Sequence, residues 1–110
     1  MSVHFIVQFH PPPDAIADFR SELLMVVHPT RTEPGCRAIR VFESISQPSM
    51  FAIHSEWNDE AAFELHARLP HTLRFLAAAE RLLGTAIQGL RAREICEEST
   101  WSDSVPGNRF

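Results

Sequence analysis

The stretch EWNDEAAFELHARLPH, residues 56–71, brings Trp57, His66 and His71 close together along the chain. An imidazole with an ordinary pKa near 6.5 takes a proton from a phenol or hydroquinone at neutral pH, and the resulting anion reacts more readily with dioxygen. His66 shares a helical face with Ala62, Phe63 and Leu69, which turns it toward a core where it needs a partner. It is the candidate general base, against the bland alternative of a neutral histidine satisfied by one hydrogen bond. Trp57 offers a broad apolar face and one N–H donor, suited to holding a planar aromatic or to closing the end of a core. His71, beside Pro70 at a helix start, faces a pocket mouth or water. Phe51, Phe63 and Phe75 line the same cavity or serve as plain core. The two histidines lie five apart across a helix break, not four apart on one face, so no metal site is expected.

Elements of a definite kind must position these residues. Residues 3–9, VHFIVQF, form a strand that ends at Pro11–Pro13. From Asp14, apolar Ile16, Phe19, Leu23, Val26 and Val27 recur at helical spacing, with His28 in the last turn before Pro29. PTRTEPGC is a loop, in which Arg31 and Glu33 fix the loop or meet solvent and take no catalytic part. CRAIRVFES and MFAIHSEW are antiparallel strands joined by the turn SQPS. On the second of them, His54 faces opposite to Ile53 and Ser55, toward water or a dimer interface. Asn58 is the expected N-cap of a short helix. Pro70 opens a third helix that runs to about Leu83, with Leu73, Leu76, Ala79 and Leu83 inward and Gly84 as its stop. Residues 87–96 form a last strand, and residues 98–110 are a polar tail on a domain of residues 1–97. Strand, helix, strand, strand, broken helix, strand describes an α+β, ferredoxin-like βαββαβ sandwich with a four-stranded antiparallel sheet.

The chain has 110 residues, enough for one core, with 45% hydrophobic and 22% charged residues. Ten basic and fourteen acidic residues give a net charge of −4 and no basic stripe, which argues against nucleic acid as a partner. No apolar run is long enough to span a bilayer, and no signal peptide is legible, so no membrane association and a cytoplasmic location are expected. Cys36 and Cys96 lack metal-motif spacing and read as reduced thiols. Apolar residues on both faces of the strands call for a homodimer through the open sheet face.

PTRTEPGC, then EW-x-D-E-A-A-F-x-x-H, then PH-x-x-x-F-L-A-A, in this order and spacing, resemble the antibiotic biosynthesis monooxygenase family of dimeric α/β-barrel proteins across residues 3–96. The resemblance implies the dimer and a small-molecule substrate. Some members oxidise quinols or polycyclic phenols with dioxygen and no metal or flavin, so no cofactor is expected. Trp57, His66 and His71 match residues common in the family. The polyketide-oxidising members' Asn and Tyr are replaced by Ile53 and Phe63, and with no tyrosine in the chain a phenolate relay is excluded. The haem-degrading relatives' ligating histidine aligns with Leu76. The resemblance thus implies a cofactor-independent monooxygenase acting on a small quinol-like or aromatic substrate. The alternative is a non-catalytic dimeric small-molecule-binding protein of the same fold.

Overall fold

The computed structural model describes residues 2–95. Its order is β1 (Val3–Phe9), a 3-10 turn (Pro13–Ala15), α1 (Ile16–Arg31), β2 (Cys36–Glu43), β3 (Phe51–Trp57), α2 (Glu60–His66), α3 (Pro70–Leu83) and β4 (Leu90–Ala92). The four strands form one antiparallel sheet, β2-β3-β1-β4, an open sheet with the ferredoxin-like order. Strict alternation along β3, buried at Phe51, Ile53, Ser55 and Trp57 and only partly buried between them, shows one face under helices and one face open. The core beneath α1 and α3 is built on Phe9, Phe19, Leu23, Phe51, Phe75 and Ala79.

Three local expectations are corrected. Helix α1 does not stop at His28 but continues through Pro29 to Arg31. Proline removes one backbone N–H from the ladder. At the very next position, the buried Thr30 hydroxyl donates to the Val26 carbonyl at 2.7 Å, tying the last turn down. The cap of α2 is Asp59 and not Asn58: its carboxylate accepts from the Ala62 N–H at 2.8 Å. In α3 Ala79 is buried and Leu76 and Leu83 pack on the core as read from the sequence, but Leu73 is half-exposed, and Thr72 and Phe75 are buried on that side instead. Gly84 does end α3, in the left-handed conformation at φ 74°.

The last strand is also shorter than residues 87–96. Ile87 packs on the core, Gly89 passes against the Phe5 ring where a side chain would not fit, and only Leu90–Ala92 pair with β1. Cys96 and the tail at 98–110 lie outside the described residues. Among the described residues no helix is long and apolar enough to cross a membrane.

Two contacts fix α2, the carrier of His66. Gly35 lies so close to Ala62 that a Cβ there would fall inside the Ala62 side chain, and its carbonyl accepts from the Asn58 N–H at 2.9 Å. On the other side, Arg91 of β4 stands over the Phe63 ring, 4.8 Å from its centroid, and pairs with Glu64 at 2.9 Å.

Candidate functional site

Glu33, in the turn between α1 and β2, reaches the break between α2 and α3. Its Oε2 lies 2.8 Å from His66 Nδ1 and 2.6 Å from His71 Nε2. The turn after α2, closed by backbone bonds from Arg68 to Leu65 and from Leu69 to His66, swings the chain round so that His71 in the first turn of α3 comes back beside His66. A carboxylate is acceptor-only, so both imidazole nitrogens that face it carry hydrogens and donate. Thr72 Oγ1, 3.2 Å from the same Nδ1, is a second acceptor that favours this tautomer. His66 Nε2 is then the unprotonated nitrogen of the neutral ring, and no described residue hydrogen-bonds it.

All three side chains are largely withdrawn from water, at 9% exposure for Glu33, 12% for His66 and 25% for His71. Burial pushes the His66 pKa below that of free imidazole; the Glu33 hydrogen bond and charge oppose this without reversing it, and His71 adds to the lowering. His66 is therefore held neutral, with its lone pair on Nε2, at physiological pH.

His66 also lines a cavity of about 160 Å³ between the helices and the sheet. Phe5, Val7, Ile39, Ile53, Phe63 and Phe75 contribute much of its apolar wall. His66 is the ionisable group on that wall. The Thr30 hydroxyl donates to Val26, and Ser55 Oγ accepts the Trp57 indole N–H at 2.9 Å. The cavity is thus an apolar space with one neutral imidazole on its wall, a group able to take a proton from a small ring.

The residues named from the sequence divide into three groups. His66, Phe63 and Phe75 line the cavity. Trp57 is fully buried outside the lining, its N–H committed to Ser55, and its ring centroid is 4.4 Å from that of His66, which it supports from behind. Phe51 packs on Phe19 in the core, away from the cavity, and His71 reaches the site only through Glu33. Glu33, assigned by sequence to loop fixation, is the residue that joins the site together. A carboxylate in a loop carries no periodicity, so only the position of the loop over the break between α2 and α3 reveals it. Arg31, its neighbour in sequence, points elsewhere and donates to the Ile39 carbonyl at 3.3 Å.

The family model described as antibiotic biosynthesis monooxygenase matches residues 2–78. The chain belongs to that family. It is 32% identical over 81 residues to Rv0793 of Mycobacterium tuberculosis, provisionally named a monooxygenase, an alignment covering 74% of this chain and 79% of that one. The solved structure of Rv0793 superposes with a TM-score of 0.82 at 28% identity, covering 90% of this chain and all of the other. The structure of PA3566 from Pseudomonas aeruginosa superposes with a TM-score of 0.78 at 25% identity, covering 86% and 95% of the two chains. Membership fixes the fold; the reaction, the substrate and the working residues have to be argued from this chain's own cavity.

Proposed function

We propose that this chain is a cofactor-independent monooxygenase for a small, single-ring quinol-like substrate, with His66 as the general base. The observation that carries the reading is the Glu33–His66 hydrogen bond at the edge of an apolar cavity. A void of about 150 Å³ lined by apolar side chains is enough to hold benzene, so the volume here suits one aromatic ring and not a fused polycycle.

His66 Nε2 takes the proton of a ring hydroxyl. The imidazolium that forms is stabilised by the Glu33 carboxylate on Nδ1 and by the Trp57 face 4.4 Å away. Dioxygen then adds to a ring carbon of the anion, and the hydroperoxide loses water. One oxygen atom stays on the ring and the other leaves as water, so a hydroquinone and dioxygen give a hydroxyquinone and water. The substrate supplies all the electrons, which is why the step calls for no external reductant. The test is dioxygen uptake with a single-ring hydroquinone, with the product analysed by mass for the added oxygen atom. Lack of tyrosine favours a second reading, a binding protein of the same fold; saturable quinol binding without uptake above buffer would select it.

We also propose that a second copy of the chain covers the open sheet face. Ile6, Phe42 and Leu90 stand on that face at 39%, 51% and 59% exposure, around the stacked His4–His54 pair, whose ring nitrogens are 2.8 Å apart. Light scattering at micromolar concentration should return twice the mass of the 12.5 kDa chain. A monomer mass would remove the dimer.

A further inference from the structure

The same three residues that hold the base meet the requirements of a cation site. Glu33 Oε2, His66 Nδ1 and His71 Nε2 all lie within 4.8 Å of one another and come from three separate elements: the α1–β2 turn, the end of α2 and the start of α3. We propose that they form a site for one zinc-like transition-metal dication, which switches the His66 base off when bound.

Two features of the site point to a metal as well as to hydrogen bonding. Both imidazole nitrogens aim at a single carboxylate oxygen, so three ligand atoms already converge on one place. Two neutral imidazoles with one carboxylate are a donor set for zinc and its neighbours, whereas magnesium and calcium select oxygen. Metal–ligand bonds of about 2.0–2.2 Å put tetrahedral ligand atoms roughly 3.3 Å apart, so Glu33 Oε2 retreats by about half an ångström from nitrogens now at 2.8 and 2.6 Å, and the two nitrogens, within 4.8 Å of each other, close to the same spacing. His71, the most exposed of the three at 25%, gives the ion its way in.

The consequence for His66 follows from its tautomer. A dication on Nδ1 requires the ring hydrogen to sit on Nε2, and that removes the lone pair facing the substrate. This inhibitory consequence rests on the base assignment; the binding of the ion does not.

Chelator-treated, untagged protein titrated with zinc in a calorimeter should bind one ion per chain. Cobalt(II) should give visible d–d absorption characteristic of a low-coordinate nitrogen and oxygen site. Glu33→Gln and His71→Ala should each weaken zinc binding by at least about 10-fold, with thermal melts confirming that both remain folded. His54→Ala, which removes the histidine pair on the open sheet face, should leave the affinity unchanged. Binding unaltered by both Glu33→Gln and His71→Ala, or no saturable binding to folded wild type, overturns the site. If one ion binds but hydroquinone oxidation continues at its metal-free rate, the switch is overturned while the ion site stands. If metal-free protein has no oxidation to inhibit, the base assignment fails and the calorimetry still decides the ion site.

Discussion

Oxidation of a single-ring hydroquinone is expected to slow by about 10²–10⁴-fold when His66 is replaced with Ala, the usual worth of a general base. Among the residues that line the cavity, His66 alone can take the proton. The wall is apolar apart from His66 and a few hydroxyls, and those hydroxyls neither titrate near neutrality nor bring a basic nitrogen with them. Without the imidazole, the ring hydroxyl must ionise into an apolar space, which is costly when no partner receives the charge. The side chain also packs against Trp57, so His66→Ala opens space beside a fully buried indole. His66→Gln keeps more of the bulk and equally lacks a base at neutral pH; both variants should fall together if the loss is chemical. Thermal melts and light scattering on each separate that outcome from unfolding. A folded His66→Gln that oxidises hydroquinone at the wild-type rate would falsify the assignment.

Glu33→Gln is expected to cost about 10–10²-fold in the same assay. The amide keeps the shape and can still accept from Nδ1, but the hydrogen bond to a charged group is lost. Such bonds contribute about 1.5–3 kcal/mol, and at 1.36 kcal/mol per factor of ten this sets the expected range. Glu33 acts through His66 as a positioning residue, so its loss carries a signature that a merely structural role would not. Its charge raises the His66 pKa against the lowering by burial. Glu33→Gln should therefore move the acid limb of the pH–rate profile to still lower pH, while a nonspecific loosening of the loop would let water in and move it upward. Kinetic profiles of wild type and Glu33→Gln, measured side by side after chelator treatment, check the direction.

Much of the fold is legible from the sequence because its signals are local. Alternation in VHFIVQF and FAIHSEW fixes two strands and their faces, and Pro70 with Gly84 brackets α3 correctly. The errors also have local causes. Pro29 is read as a stop because proline breaks hydrogen bonding, yet in the last turn of α1 only one bond is lost and Thr30 ties that turn down from its side chain. On α3 only Leu73 is misread as inward, because Thr72, a polar residue next to it, is the one buried beside His66.

The site is legible only in part. Its histidines stand out because a helix break between two of them is visible in the sequence, and Phe63 and Phe75 follow from periodicity. Glu33 is separated from His66 by 33 positions and belongs to a segment with no regular pattern, so nothing short of the folded chain places it. Trp57 illustrates the converse. Its type and position single it out, but whether an indole N–H is offered to a ligand or used internally depends on Ser55, two residues away on the same face of β3.

The most direct test of the central claim is the pH dependence of kcat/KM for hydroquinone oxidation by chelator-treated wild type, corrected for autoxidation in buffer. If neutral His66 is the base, the value rises through a single protonation whose pKa lies below the ordinary imidazole value of about 6.5 and then levels off. The sign follows from burial, which disfavours the imidazolium and leaves the lone pair available further into acid. A rate that climbs with hydroxide in parallel with the buffer reaction, with no such limb and no plateau, would contradict it.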